Sequence, residues 1–305
     1  MPWKTYDQMM SAFKSLNHPL YSWEKIGTSV QGREIIAAKI GPSWGGKIYI
    51  SCCCHGGEQV NGEIAWLYAN WLLQEKEAIA TQILHHNQTI IVPILNPDGY
   101  VVGTANGWGR KNAHGVDLNR NAEFGWGGGS SVPTDYDYRG TGPLSEPESK
   151  AYHELFIREK PRWVLNMHTG ATPIYKETGD TAYKNHITSS LNRYKELCTQ
   201  RGLDPNAYPI TQLSGYIGRE MDDGYKLANA YGLIWEFHPV EVNVRDNNPI
   251  FDDIEPLWFP KFLPMAIALS EDCSVETPPP SPSIMPVIPL FVIGAVYLVY
   301  RLQNR

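Results

Sequence analysis

The chain alternates between short apolar runs and longer segments in which apolar positions recur every three or four residues. The short runs predict β-strands, and the longer segments predict amphipathic helices. Strands are expected at 47–54, 89–95, 163–167 and 233–237, a hairpin at 26–40, and helices at 6–20, 59–74, 146–156, 183–201, 221–231 and 255–271. Strands that alternate with helices indicate an α/β fold, with a mostly parallel mixed sheet and helices on both faces.

One long segment interrupts this alternation. The strand at 89–95 is followed by Asn-Pro-Asp-Gly at 96–99, which predicts a turn. Residues 103–142 are then rich in glycine and have no clear period. A loop of this length inside a compact domain is usually functional, so candidate site residues are expected in it.

The C-terminal end differs in composition from the globular domain predicted over residues 1–272. Residues 273–283 are rich in proline and serine and predict a stiff linker. Residues 284–300 carry no charge and reach the lower length limit of a membrane span. A buried core helix is the alternative, but behind such a linker it has nothing to pack against. We therefore expect a C-terminal transmembrane helix and a single-pass membrane protein.

The side of the membrane on which the domain lies stays open. Arg301 and Arg305 follow the predicted span and favour a cytosolic C-terminus under the positive-inside rule. The N-terminus lacks the basic and apolar regions of a secretory signal, and unpaired cysteines are typical of a reducing compartment. Those two features favour a cytosolic domain, so the indications conflict.

Charge and cysteine content argue against nucleic-acid binding and against a disulfide-stabilised fold. The net charge of −6 and the lack of a Lys/Arg run give no attraction to nucleic acid, so no nucleic-acid partner is expected. Five cysteines are too few for a disulfide framework in 305 residues. Cys52, Cys53 and Cys54 are consecutive in a predicted strand, so their side chains point to opposite faces and are expected to be buried thiols.

Polar residues stand at the ends of three predicted strands. His55 and Glu58 follow the first strand as His-Gly-Gly-Glu, and one imidazole and one carboxylate at this spacing can grip a single Zn²⁺. His168 ends a second strand and Glu236 a third. Since ligands bind at the carboxyl ends of parallel strands, these residues predict one shared metal site.

Several motifs resemble the zinc carboxypeptidase family of the carboxypeptidase A/B type. They are His-Gly-Gly-Glu at 55–58, Asn-Pro-Asp-Gly at 96–99, Gly-Arg-Lys-Asn at 109–112, Gly-Val-Asp-Leu-Asn-Arg-Asn at 115–121 and Pro-Leu-Ser-Glu-Pro-Glu at 143–148. They occur in the family's order and cover nearly the whole globular part. The last block is most similar to the bacterial branch that cleaves γ-D-glutamyl–diamino acid bonds of cell-wall peptides.

The resemblance implies a zinc metallopeptidase that binds one Zn²⁺ per chain and hydrolyses a C-terminal peptide bond in a peptide or muropeptide. The implied roles are metal binding for His55, Glu58 and His168, general base for Glu236, oxyanion stabilisation for Arg110, and a clamp on the substrate's terminal carboxylate for Asn119 and Arg120. Arg120 suits that task because a guanidinium binds a carboxylate with two parallel hydrogen bonds.

The chain departs from the family pattern at two places. Gly56 and Gly57 stand where carboxypeptidase A-type enzymes carry an Arg. Thr211 stands where the family's mobile active-site Tyr is expected, and Tyr216 is the nearby candidate to replace it. Arg219 lies where the family reads the terminal side chain, which favours removal of acidic C-terminal residues. An exposed Arg219 that pairs with Glu220 or Asp222 is the alternative.

One function of a different class is also compatible with the sequence. A membrane-tethered protein could bind peptides through a peptidase fold that has lost its activity. That hypothesis expects a missing ligand or a missing base, and this sequence has all three metal ligands and Glu236. Stoichiometric zinc in the purified protein would separate the two hypotheses.

Overall fold

The computed structural model describes residues 3–106, 109–169, 174–177, 180–206, 211–214, 219–237 and 259–273. Within these residues the chain forms an eight-stranded sheet in the order β1-β2-β4-β3-β5-β8-β6-β7. The strands are β1 (Tyr21–Thr28), β2 (Glu34–Ile40), β3 (Gly46–Ser51), β4 (Asn87–Val92), β5 (Trp163–Thr169), β6 (Ile174–Glu177), β7 (Thr211–Ser214) and β8 (Tyr231–Phe237).

The centre of the sheet is parallel and its flanks are mixed. Strands β4, β3, β5 and β8 run parallel to one another. The pairs β1–β2, β2–β4 and β6–β8 are antiparallel, and β7 runs parallel to β6. This arrangement confirms the predicted mixed sheet, and a parallel centre requires cover on both faces.

Helices provide that cover. They are α1 (Tyr6–Lys14), α2 (Val60–Gln74), α3 (Ala78–His86), α4 (Pro97–Asn106), α5 (Pro147–Glu159), α6 (Thr181–Gln200), α7 (Glu220–Ala228) and α8 (Phe259–Cys273). Successive residues of β3 point to opposite faces: Ile50 joins the core under α2, α6 and α8, which includes Phe262, and Tyr49 joins the core under α5 and α7. The ring of Tyr49 meets that of Phe156 edge-on at 4.7 Å between centroids.

Most predicted elements are confirmed, with ends that differ by a few residues. The predicted hairpin is β1 and β2, and Gly32 between them has φ +80°, a conformation that glycine adopts readily. The turn predicted at 96–99 is wrong, because Pro97 begins α4 and the Asn96 side chain accepts a hydrogen bond from the Gly99 N–H at 2.9 Å. Asn before Pro is a favourable helix start. Helix α3 and strands β6 and β7 were not predicted.

The predicted transmembrane helix and single-pass membrane location must be corrected. In the described ranges, no helix is both long and apolar enough to cross a membrane. The longest of them, α6, carries Lys184, Arg193 and Glu196 and buries only one side. The predicted span at 284–300 and all but Cys273 of the predicted linker lie outside the described residues. Nothing in the structure supports the anchor, and we do not retain it.

Candidate metal centre

The sheet brings its strand ends together at one edge. Ser51, the last residue of β3, pairs with Asn166 on the parallel neighbour β5. On the other side of β5, His168 pairs in register with Glu236 on β8. His55 comes after β3 along the chain, once residues 52–54 have followed the strand end. Because these three strands are parallel neighbours, the side chains that follow them lie at the same edge.

His55, Glu58 and His168 converge on one point. The Nδ1 atom of His55 lies 2.9 Å from Glu58 Oε1, and the Nδ1 atom of His168 lies 3.1 Å from Glu58 Oε2. The ligand atoms of the three residues all lie within 4.8 Å of one another, and both histidines are buried. The structure therefore brings together the three residues that the sequence predicted to bind metal.

The electrostatics of this cluster favour a cation. Burial alone would lower the pKa of His55, but the carboxylates of Glu58 and Asp117 raise it to about 9. Burial alone would raise the pKa of Glu58, but His55 and His168 lower it to about 2. Two buried carboxylates thus hold a proton on a histidine. A divalent cation satisfies the same negative charge and leaves both imidazoles neutral.

The donor set fits zinc. Two imidazoles and one carboxylate are an established ligand set for catalytic zinc, and they leave a fourth position for water or substrate. The second nitrogen of His55 also has a partner: its Nε2 lies 3.2 Å from Asp117 Oδ1. A carboxylate behind a ligating histidine fixes the ring and its tautomer.

Asp117 is a site residue whose role was not foreseen from the sequence. It is fully buried, and its Oδ2 accepts a hydrogen bond of 2.6 Å from Arg110 Nη2. Its Oδ1 accepts the Asn119 N–H at 3.0 Å and so caps a short 3₁₀ helix, Leu118–Arg120. Asp117 therefore links His55, Arg110 and the predicted carboxylate clamp. Its position between Gly115 and Asn119 in a recognisable block was the available clue.

Three glycines allow the motif segments to meet. A Cβ on Gly56 would lie 2.0 Å from the backbone of Gly99, and a Cβ on Gly109 would lie 1.8 Å from the Gly99 carbonyl oxygen. The Gly56 N–H donates to the Gly109 carbonyl at 2.6 Å. No other residue fits at such a junction. It holds the segments of His55, α4 and Arg110 against one another, which gives a physical reason for Gly56.

Arg110, Asn119 and Arg120 lie at the same edge as the metal cluster. Besides Asp117, the Arg110 guanidinium approaches His55, with Nη1 3.4 Å from Nδ1. Arg120 donates from Nη1 to the Asn119 carbonyl at 2.7 Å. The charges of Arg110 and Arg120 both act on Asp117 and help to lower the pKa of its carboxyl despite burial.

Arg219 begins α7 and is largely buried with an unsatisfied guanidinium. Its Nε and Nη1 are buried and have no hydrogen-bond partner among the described residues. Asp222 accepts from the Arg219 backbone N–H at 3.1 Å. Burial and the neighbouring Arg120 lower the pKa of Arg219 to about 10, while Asp222 and Glu236 oppose this shift. Arg219 is thus partly buried rather than exposed, and it interacts with Asp222 at the start of the helix.

A buried polar network lies beside the strand ends. Glu220 is fully buried and accepts hydrogen bonds from the Tyr49 hydroxyl at 2.9 Å, the Ser51 hydroxyl at 2.5 Å and the Asn166 amide. Burial raises the pKa of Glu220 to about 7 against the effect of these donors. The network joins the first turn of α7 to β3 and β5.

Two predicted positions are not settled by this geometry. Tyr216 lies outside the described residues. Thr211 is the first residue of β7, of which the structure describes the backbone and its pairing with β6.

The five cysteines are free and buried, as predicted.

The fold and the donor set together define an α/β domain with a site for zinc. The chain belongs to the zinc carboxypeptidase family, whose model matches residues 6–213. Glu236 and Arg219 lie beyond that match, so their roles depend on the geometry. The family is one of zinc carboxypeptidases, and the three residues that would bind the zinc, His55, Glu58 and His168, are clustered in this chain.

The chain is similar to animal carboxypeptidases and to a bacterial murein-tripeptide amidase. Human carboxypeptidase B is 31% identical over 177 residues, which are 52% of this chain and 41% of that protein. The chain thus matches less than half the length of this relative. Carboxypeptidase A from Helicoverpa armigera has a structure that superposes with a TM-score of 0.74 at 21% identity, over 90% of this chain and 74% of that one. The murein-tripeptide amidase of Escherichia coli O157 superposes with a TM-score of 0.51 at 19% identity, over 88% of this chain and 97% of that one. These structural similarities concern the fold.

Proposed function

We propose that this protein is a zinc-dependent metallocarboxypeptidase that hydrolyses the C-terminal peptide bond of peptides, with residues 1–272 as its catalytic domain. The observation that carries the proposal is the cluster of His55, Glu58 and His168 next to Glu236, on neighbouring strand ends. Zinc bound there would supply a Lewis acid that polarises the scissile carbonyl and lowers the pKa of water. The protein residues around it account for the other steps.

Glu236 is the proposed general base. It takes a proton from the attacking water, whose oxygen forms a bond to the carbonyl carbon. The C–N bond then breaks, and Glu236 returns the proton to the leaving amine. Arg110 stabilises the negative charge on the carbonyl oxygen, because its guanidinium already lies beside the cluster, 3.4 Å from His55.

Asn119 and Arg120 are the proposed clamp for the substrate's terminal carboxylate. Both lie on or next to the 3₁₀ helix that Asp117 caps, so the clamp and the metal cluster share one anchor. This link fixes the distance between the end of the substrate and the scissile bond. An enzyme with such a clamp removes one residue at a time from a free C-terminus.

The geometry of Arg219 favours an acidic terminal side chain. Two of its guanidinium nitrogens are buried without a partner among the described residues, and Arg120 adds positive charge nearby. A buried donor without a partner costs free energy, which a substrate carboxylate would recover. We therefore propose C-terminal Glu or Asp as the preferred residue. A diamino acid joined to γ-D-glutamate, as in cell-wall peptides, is the competing substrate.

The test is a mass-spectrometric assay with purified zinc-loaded protein. The substrates are one peptide series that ends in Glu, Lys or Phe and a muropeptide that ends in γ-D-glutamyl–diamino acid. We expect release of Glu to be fastest, and Arg219→Gln to reduce Glu release more than Phe release. Faster cleavage of the muropeptide than of the peptide that ends in Glu would identify cell-wall peptides as the preferred substrate. A purified protein that holds no stoichiometric zinc and cleaves none of these substrates would favour the inactive binding protein.

A further inference from the structure

Tyr136 covers the Arg110 guanidinium from the outside of the site. The Cζ atom of Arg110 lies 3.9 Å from the centre of the Tyr136 ring, well within the range of a cation–π interaction. Tyr136 is 64% exposed, so its own burial does not explain its position. The contact with the Arg110 guanidinium therefore accounts for the position of the ring.

The turn that carries Tyr136 is closed by its own hydrogen bonds. The Ser130 hydroxyl donates to Asp135 Oδ2 at 2.6 Å, and the Ser130 N–H donates to the Asp137 carbonyl at 3.1 Å. The Arg139 N–H donates to the Ser130 carbonyl at 3.0 Å. These bonds fix the backbone on both sides of Tyr136, so its ring is held over Arg110 by a defined structure.

A second contact ties the turn to the segment that carries Arg110. The ammonium group of Lys111 donates to the Pro133 carbonyl at 3.2 Å. Arg110 and Lys111 are consecutive, and both contact residues of the same turn. The turn therefore contacts this segment at two points, through Tyr136 on Arg110 and through Pro133 on Lys111.

The opposite side of Arg110 is held less completely. Its Nη2 donates to Asp117, while its Nε is buried and has no hydrogen-bond partner among the described residues. With one short hydrogen bond to Asp117 and one long contact of 3.4 Å from Nη1 to His55 Nδ1, the planar guanidinium can still tilt about its last torsion angle. The Tyr136 ring, whose centre lies 3.9 Å from Arg110 Cζ, restricts that tilt because the flat guanidinium stacks on it.

We propose that Tyr136 is a positioning residue that fixes the plane of the Arg110 guanidinium for stabilisation of the oxyanion. The inference rests on the proposed function. In that function the Arg110 guanidinium acts in the transition state, and the ring of Tyr136 sets its orientation. A preorganised donor stabilises developing charge better than one that must reorient during the reaction. The effect therefore falls on kcat rather than on KM.

The test compares Tyr136→Ala and Tyr136→Phe with a matched control. Trp23 is also exposed and lies under a cation, 4.8 Å from Lys14 Nζ, but on strand β1 at the far edge of the sheet. We expect Tyr136→Ala to lower kcat about fivefold to tenfold with less than about a twofold change in KM, a size typical of one cation–π contact. Tyr136→Phe keeps the ring and should retain at least about half of kcat. Trp23→Ala should leave kcat unchanged.

A double-variant cycle tests whether Tyr136 acts through Arg110. In an Arg110→Lys background, which keeps the charge but loses the planar fork, Tyr136→Ala should have little further effect on kcat. Full additivity of the two changes would overturn the inference. So would an unchanged kcat in Tyr136→Ala, an equal loss in Trp23→Ala, or a loss in Tyr136→Phe as large as in Tyr136→Ala.

Binding of a phosphonate peptide analogue gives a second measurement that needs no turnover. Its tetrahedral anion presents an oxygen where the oxyanion would form, so Tyr136→Ala should weaken it about fivefold to tenfold more than a ground-state product peptide. Equal affinities in the wild type and Tyr136→Ala would overturn the inference even if no peptide is cleaved. An inactive wild type that shows the phosphonate difference would count against the proposed function alone.

Discussion

The carboxylate of Glu220 accepts a hydrogen bond of 2.9 Å from the hydroxyl of Tyr49, although 171 residues separate the two in the chain. Tyr49 lies on β3, which leads to His55, and Glu220 follows Arg219 at the start of α7. The bond therefore joins the strand that presents the metal cluster to the helix that presents the unsatisfied guanidinium. A long-range contact of this kind keeps two parts of the site in a fixed relation.

The first prediction concerns Glu220 and pH. Burial raises its pKa from 4.5 in the unfolded chain to about 7 in the folded protein. The stability that Glu220 contributes is therefore fully present below about pH 4.5 and is lost as the pH rises towards 7, by at most about 3 kcal/mol. Glu220→Gln cannot ionise, so its free energy of unfolding should rise relative to wild type between pH 4.5 and 8 in urea titrations.

The control for this titration is Glu196→Gln, at an exposed position of α6. Its stability relative to wild type should hardly change over the same pH range. A flat difference between Glu220→Gln and wild type would show that Glu220 does not titrate between these values.

The second prediction concerns the glycine junction. Gly109→Ala places a Cβ 1.8 Å from the Gly99 carbonyl oxygen, so the backbone must move apart. We expect a loss of about 1–3 kcal/mol in the free energy of unfolding, as for an overpacked interior, together with weaker zinc binding. Gly142→Ala is the control, because a Cβ there meets nothing within 4 Å. Equal stability of the two variants would contradict the close approach.

The third prediction concerns the carboxylate behind His55. Asp117→Asn keeps the size of the side chain but removes its charge from His55 Nε2, which lies 3.2 Å away. Loss of such a partner typically weakens metal affinity by about 10- to 100-fold. Competition with a zinc chelator measures this effect, and Asp135→Asn on the exposed turn should not alter the affinity. A zinc affinity of Asp117→Asn equal to that of wild type would remove Asp117 from the site.

The fourth prediction separates the general base from the ligands. Glu236→Gln keeps the shape of the side chain and loses the proton acceptor. Turnover should fall by at least about a hundredfold while one zinc stays bound, because Glu236 is not among the three clustered donors. Elemental analysis and peptide hydrolysis measure the two quantities on one sample. Loss of the zinc from this variant would make Glu236 a ligand or a structural residue instead.

The fold and the metal donors could be predicted because they leave periodic or local patterns. Apolar runs indicated the central strands, and His55, His168 and Glu236 stand at the ends of three of them. Asp117 could not be assigned a role, because its contact with His55 spans 62 residues and depends on how the long loop folds back. Its contact with Arg110 is local in sequence but also depends on the conformation of that loop.

Two errors have clear physical causes. Asn-Pro-Asp-Gly is compatible with both a turn and a helix start, and the close packing of Gly99 on Gly109 favours the helix in this protein. The predicted membrane helix relied on an uncharged run of minimal length behind a proline-rich linker, and no helix in the described ranges is long and apolar enough to cross a membrane. Apolar composition indicates burial but does not identify the partner that provides it.

The central claim is that the protein removes residues from a free C-terminus. The most direct measurement compares kcat/KM of the zinc-loaded protein on one peptide with a free terminal carboxylate and on the same peptide with a terminal amide. A charge pair broken on one side costs roughly 2–5 kcal/mol, so the amide should be hydrolysed at least about 30-fold less efficiently. Arg120→Ala should cause a similar loss on the acid and little further loss on the amide. Equal hydrolysis of acid and amide by the wild type would contradict the account, because the enzyme would then not recognise the end of its substrate.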